Sequence, residues 1–342
     1  MKPFLHKNFY IVIILALILR LLLGLLPSFT IDMNNWIAWS GMLTEHGPLK
    51  FYSLPGWTDY MPGFFYYLWI AGSFFKAIGA GLTPFWVKLP VILADTGIGL
   101  LIYKILFKKS FKIAAFAFLA YVLNPVIMFT NSIWGQTDGL LALFLLLSAY
   151  FLAEKKNFVF SSLFWVLALL VKPQALVALP VLLLYLLFNK KYKKSVFFVL
   201  LSLFFIVVLG LPFFAKLNPI FGIPILISKM SNESPFTSVM AFNFWALVKG
   251  MWIPDSGTFL SLEYVHWGAA IFLSAFILVL IGLFRSKRKP WDLYFFLGLT
   301  YLAFFLFPTR VHERYILVSL PLFLLSACLI YSKFEIILYF FL

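Results

Sequence analysis

Arg310, His312, Glu313 and Arg314 fall within five residues, between two long apolar stretches. Charge is costly beside a bilayer, so a cluster this dense in a short inter-helix loop points to a site. Two arginines can grip phosphate oxygens in bidentate fashion, and a histidine adds a donor. Glu313 can hold one guanidinium in place. A second cluster follows the first apolar run, where Asp32 precedes Asn34, Asn35, Trp36 and Trp39. A carboxylate there can take a proton from a hydroxyl, while indole rings cover apolar sugar faces and lipid. The same aspartate also suits a cap for a helix opening at Met33.

Other polar residues sit between apolar runs. Lys172 begins a Lys172-Pro173-Gln174 turn between two short runs, and a hairpin that short keeps its tip below the membrane surface. Its ammonium then points into an outward-facing cavity, or it snorkels at a bundle edge. Gln136 and Asp138 end the stretch Asn131-Ser-Ile-Trp-Gly-Gln-Thr-Asp138 and can line the same cavity; Asp138 also suits a helix cap. Asp59 stands beside a Pro-Gly turn signal and can orient an acceptor or serve the turn. Asn243 and Trp245 lie in the aromatic run 237–247, which predicts an interfacial helix able to touch sugar. Arg20 and Asp95 are too deep in apolar runs to stand alone, so the expectation is a structural ion pair.

These residues need a scaffold, and composition says which kind. The chain of 342 residues is 63% hydrophobic and 11% charged, with 43 Phe and a mean hydropathy of +1.01. That pattern is an all-α polytopic membrane protein. The apolar runs are continuous rather than alternating, which excludes a β-barrel. They fall near 8–27, 62–80, 84–106, 113–131, 138–153, 158–171, 175–188, 195–215, 264–284, 291–308 and 315–332. About 10–11 transmembrane helices are expected, with interfacial helices in two large external loops. The first run lacks a small-residue cleavage site and reads as a retained span. Residues 334–342 are too few to cross ~30 Å of hydrocarbon, so a last span is truncated or the tail is re-entrant.

The net charge of +15 lies mostly in short clusters between runs. If every run crosses, those clusters face outward throughout, against the usual bias of cytoplasmic loops. If 62–80 stays in the outer leaflet, Lys2, Lys7 and every cluster face the cytoplasm. The inner loops then hold 17 Lys/Arg and the external segments 8. The external parts are 28–83, 132–137, 172–174, 216–263 and 309–314. The N-terminus is cytoplasmic and the site faces outward, in the plasma membrane. The basic loops are short topology signals and imply no nucleic-acid partner. The single cysteine, Cys328, lies in an apolar run and implies no disulfide or thiol metal site. No phosphate-binding glycine loop, dinucleotide fingerprint or HExxH pattern occurs, so a nucleotide-sugar donor has no support.

Several short motifs, in order, resemble the GT-C superfamily of integral-membrane glycosyltransferases that use polyprenyl-phosphate sugars. They are Asp32 with Asn34-Asn35-Trp36, Asp59-Tyr60-Met61-Pro62-Gly63, Asn124-Pro125, Trp134-Gly135-Gln136-Thr137-Asp138, Lys172-Pro173-Gln174, Ala241-Phe242-Asn243-Phe244-Trp245 and His312-Glu313-Arg314-Tyr315. The likeness is nearest to prokaryotic mannosyl- or glucosyltransferases. It implies a seven-span module over 1–215 including the first external loop 28–83. An external loop 216–263 and C-terminal spans 264–342, with the 309–314 loop, follow. It also implies hexose transfer with inversion, Asp32 as base, and donor-phosphate contact by Arg310, His312, Arg314 and Lys172. Asp59, Gln136, Asp138, Asn243 and Trp245 are expected around the substrates. The partners implied are a polyprenyl-phosphate-linked sugar, a glycan, lipid or protein acceptor, and membrane lipid. Met33 follows Asp32, so the paired-acid pattern of some relatives is missing and no metal ligand set or required cofactor is expected; dependence on a divalent ion is left open. An oligosaccharide ligase or polymerase would use the same external grip. A transporter or flippase is the third reading, although no inverted repeat supports it.

The charge-based topology has a direct check. In intact cells, cysteine introduced at His46 should react with a membrane-impermeant thiol reagent, and cysteine introduced at Tyr192 should not. Labelling of both from one side breaks the topology.

Overall fold

The computed structural model describes residues 9–56, 58, 60–214, 218–287 and 289–330. Proline opens six of its helices, where a fixed φ suits the first turn and a missing N–H costs nothing. In chain order the first elements are α1 (Phe9–Gly24), α2 (Thr30–His46), α3 (Pro48–Phe51), α4 (Pro62–Ala77), α5 (Pro84–Phe107), α6 (Phe111–Val122) and α7 (Pro125–Ile127). A π-helical segment, Met128–Trp134, continues α7 and leads to α8 (Asp138–Ala153) and α9 (Phe158–Val171). A 3-10 turn, Pro173–Ala178, precedes α10 (Leu179–Phe188), α11 (Tyr192–Phe214), α12 (Pro219–Ser231) and α13 (Phe244–Val248). An antiparallel hairpin pairs β1 (Thr258–Phe259) with β2 (Leu262–Glu263), Thr258 opposite Glu263. The chain continues through α14 (Tyr264–Arg285), α15 (Pro290–Leu306), a 3-10 turn at Glu313–Val318 and α16 (Ser319–Ile330).

The protein is an all-α polytopic membrane protein, and every apolar run in the sequence contains a helix. Among the described residues, α5, α11, α14 and the continuous stretch Glu313–Ile330 are long and apolar enough to cross a membrane. Helix α6 with Pro125–Trp134 makes a fifth such element, bent by 42°. Helices α1, α8, α9, Pro173–Phe188, α12 and α15 are apolar but shorter. Helix α4 falls in neither group. The difference from the ten or eleven expected is one of length: the 14 residues of α9 rise only ~21 Å. The tail at 334–342 and Lys2 and Lys7 lie outside the described residues.

Helix α5 runs through the middle, packed against α1, α6, α8 and α16. Helices α11 and α14 keep most of their surface outside the bundle, with Leu200, Phe204, Leu273 and Leu278 exposed as a lipid-facing skin. The expected pair of deep charges is present. Arg20 Nη1 donates to Asp95 Oδ2 at 2.7 Å, and both side chains are fully buried. Arg20 also donates to the Val122 carbonyl at 3.0 Å and to Ser132 Oγ at 3.1 Å. Tyr121 and Asn131 donate to Asp95 Oδ1 at 3.2 and 2.9 Å. One network therefore fixes α1, α5, α6 and the π segment relative to one another. Lys88 donates to the carbonyls of Gly24 and Leu26 at 3.1 and 2.7 Å. These are orphan acceptors at the end of α1, so the lysine sets where the chain turns toward α2.

The two ends of the bundle differ chemically. At one end Lys108 and Lys155 stand beside Glu154, whose carboxyl burial pushes up, and Lys109 donates to the carbonyls of Cys328 and Leu329. The loops expected outside gather at the opposite ends of the same helices. One element there differs from expectation. Residues 237–247 are not a single interfacial helix. Thr237 N donates to Ile253 O at 2.7 Å and Val239 N to Val311 O at 2.9 Å. Met240 then takes a left-handed φ of 63°. Only Phe244–Val248 is helical, capped by Asn243 Oδ1 accepting from Ala246 N at 3.1 Å. Backbone pairing to the 309–312 loop outweighs the aromatic pattern.

Breaking the Arg20–Asp95 pair should be severe. Asp95→Leu leaves a buried guanidinium uncompensated and is expected to cost about 3–5 kcal/mol. The double variant R20L/D95L should recover much of the loss in thermal unfolding of the purified protein. Equal instability of the single and double variants would deny the pair that role.

Candidate active site

A cavity of about 520 Å³ opens at the end where these loops gather, within the size range of small-ligand sites. Helix α2 contributes Asp32, Asn35, Trp36 and Trp39; the turn following α9 contributes Lys172, Pro173, Gln174, Leu176 and Val177; the end of α12 contributes Ile227 and Met230; and the C-terminal loop contributes Thr309 to His312, Arg314 and Tyr315. The two clusters with which the sequence reading began therefore share one hollow.

Asp32 is not a helix cap. Helix α2 starts at Thr30 behind Phe29, and the aspartate lies in its first turn. Asp32 Oδ2 accepts from Trp134 Nε1 at 2.7 Å and from Gln136 Nε2 at 2.6 Å. Its Oδ1 has no partner among the described residues. Two donors on one oxygen lock the rotamer and leave the other oxygen to accept a proton. Both donors reach Asp32 because of how the π segment ends. Gly135 and Gln136 both donate to Thr130 O at 3.1 Å. Gly135 has φ 89°, and a Cβ there would stand 2.8 Å from Lys88 Cγ. Glycine is required at this turn. Tyr60 completes the group by donating to Gln136 Oε1 at 3.4 Å.

Across the cavity one carboxylate serves two cations. Lys172, just past the end of α9, donates to Asp138 Oδ2 at 2.7 Å. Arg314 Nε lies 3.7 Å from the same oxygen. The Lys172 ammonium sits 5.7 Å from the Tyr315 ring centre and 6.0 Å from that of Tyr60. Arg314 Nη1 donates to Glu313 Oε1 at 3.1 Å and contacts His312 Nδ1 at 3.4 Å. Arg314 Nε, buried, and Nη2 have no hydrogen-bond partner among the described residues. Burial, then the charges of Arg314 and Lys172, push the His312 pKa down to about 3. The imidazole is thus neutral at physiological pH. A guanidinium can only donate, so His312 Nδ1 accepts and Nε2 carries the hydrogen.

The remaining expected site residues fall into three positions. Arg310 lines the cavity, but Asp255 takes its Nε at 2.6 Å and its Nη2 at 3.2 Å. Its Nη1 donates to Ser231 O at 2.7 Å and Asn232 Oδ1 at 2.9 Å. This guanidinium fastens the end of α12 to the C-terminal loop. Gln136 and Asp138 stand behind the lining residues as partners of Asp32 and Lys172. Asn243 and Trp245 do not line the cavity; they donate to Phe305 O at 3.4 Å and Phe307 O at 2.6 Å and hold the wall from behind. Asp59 lies outside the described residues. Trp134, Tyr60 and Tyr315 all lie in the motifs quoted above, but their contacts here are not evident from residue type. No cluster of three or more His, Cys, Asp or Glu poised for a metal occurs among the described residues.

Residues 62–215 match a family model described as dolichyl-phosphate-mannose-protein mannosyltransferase. The matched segment supports a GT-C glycosyltransferase. It runs from the start of α4 to the end of α11, just under half of the chain. It contains Trp134, Gln136, Asp138 and Lys172, while Asp32 and Arg314 lie on either side of it. No curated protein matches the chain.

Neutral His312 has a consequence for stability. Its folded pKa lies below the unfolded value of about 6.5, so the unfolded chain binds more protons between those values. The contribution to stability is full above about pH 6.5 and is lost as pH falls toward 3. Between pH 7.5 and 5.0, His312→Gln should lose less thermal stability than wild type. Parallel losses would show that the imidazole is not held neutral.

Proposed function

We propose that the protein transfers a hexose, mannose or glucose, from a polyprenyl-phosphate donor to an acceptor at the external face of the plasma membrane, with inversion. One observation carries this reading: Asp32, Lys172 and Arg314 line the same cavity. The acceptor hydroxyl approaches Asp32 Oδ1, which takes its proton as the new glycosidic bond forms. The bond from the sugar to the phosphate oxygen breaks, and its electron pair leaves with the polyprenyl phosphate. Lys172, Arg314 and the Nε2–H of His312 meet that developing charge. Arg310 acts through the loop it fastens. Tyr60, partly exposed at the cavity and backed by the buried rings of Trp36 and Trp39, supplies an aromatic surface for a pyranose ring. The family match supports a lipid-phosphate donor in general, and the opposite end carries the basic loops that mark the cytoplasmic side.

The test is a transfer assay with a panel of polyprenyl-phosphate hexoses. Asp32→Asn should abolish turnover with donor binding retained. Arg314→Ala should weaken donor binding by about 1.5–3 kcal/mol, the usual worth of a hydrogen bond to a charged group. Near-normal turnover in D32N, or activity with nucleotide sugars alone, would overturn the proposal. Ion-coupled uptake without transfer would favour the transporter reading instead.

A further inference from the structure

Trp134 touches both halves of the cavity without lining it. Its indole N–H donates to Asp32 Oδ2 at 2.7 Å. Its ring face carries the Arg314 guanidinium, with Cζ 5.4 Å from the ring centre. Its carbonyl accepts from Ser28 Oγ, and its edge packs on Phe29 and Phe129 with ring centres 5.9 and 6.4 Å away. The residue closes a π-helical segment, a form that recurs at functional sites. Its position is anchored from beneath. Ser132, two residues earlier, receives Arg20 at 3.1 Å, and Gly135 turns back onto Thr130.

We infer that Trp134 is a positioning residue that couples the base to the phosphate grip: its N–H orients the Asp32 carboxylate and its ring seats Arg314. This rests on the transfer reaction proposed above. The two contacts use different parts of one side chain. The N–H lies in the ring plane and reaches a carboxylate. The π face is the electron-rich surface that attracts a guanidinium. Phenylalanine keeps a face and removes the donor; alanine removes both. If the residue served only packing, its replacement would lower rate and binding together.

The experiment compares Trp134→Phe and Trp134→Ala in the full-length protein, with D32N as reference. Turnover is measured with the active donor from the panel, and binding with farnesyl phosphate, which has the phosphate but no sugar. W134F should lower kcat about 10–100-fold, the range for losing a hydrogen bond to a charged group, with farnesyl phosphate affinity within about twofold of wild type. W134A should lower kcat at least as far and weaken farnesyl phosphate binding about fivefold or more, as for a partly desolvated cation–π contact. Wild-type kcat in W134F overturns the role of the N–H. Unchanged binding in W134A overturns the role of the face. A parallel loss of rate and binding in W134F assigns the residue to packing and overturns the coupling. Turnover in D32N would defeat the reaction itself, whatever the tryptophan variants do.

Discussion

A cation beside a bilayer needs a carboxylate, and here Asp138 is placed between two cations. Its Oδ2 takes Lys172 at 2.7 Å and stands 3.7 Å from Arg314. Its own side chain is 1% exposed, so its charge is not diluted by water. Without it, Lys172 and Arg314 would repel each other in a poorly solvated pocket. With it they can stay close while Arg314 Nε and Nη2 have no hydrogen-bond partner among the described residues. Breaking a buried pair costs far more than an exposed one, because the remaining charge has no solvent to turn to. The position of both cations therefore depends on where α8 begins, since Asp138 is its first residue.

That position depends in turn on structure deeper in the bundle. The Arg20–Asp95 network holds the π segment through Ser132 and Asn131, and the π segment delivers Trp134, Gln136 and then Asp138. Asp32 arrives by another route, after Lys88 has capped α1 and the chain turns into α2. The C-terminal loop comes by a third. Val239 pairs with Val311, and Arg310 clasps Asp255 and the end of α12. Three distant stretches are thus brought to one hollow by polar contacts in otherwise apolar surroundings. Apolar packing alone is non-directional and could not fix the register of one loop against another.

Arg310 and Arg314 show where a reading by residue type runs out. In sequence both are arginines of one charged loop, equally suited to phosphate. In the structure an aspartate 55 positions away takes two nitrogens of Arg310, whereas Arg314 lies on an indole face with Nε and Nη2 lacking hydrogen-bond partners among the described residues. Asn243 and Trp245 fall on the same divide. Their aromatic run suggests a sugar-touching helix, yet with Val239 and Met240 paired to the 309–312 loop both side chains hold carbonyls instead. His312 was legible as a donor but not as a neutral one, because its state is set by burial and by neighbours 2 and 140 residues away.

The sequence by itself determined the all-α membrane architecture, the positions of its apolar helices and the pairing of Arg20 with Asp95, and it singled out Asp32 and the 310–314 cluster, which line one cavity. Those properties follow from local composition and from the cost of leaving charge in hydrocarbon, which act on each segment separately. Tertiary structure alone decided which arginine is clasped by a carboxylate, which donors lock Asp32, and that Trp134 lies between Asp32 and Arg314. Each of those outcomes rests on contacts between segments at least 55 residues apart. Hydropathy and charge count carry no information about which distant partner arrives first.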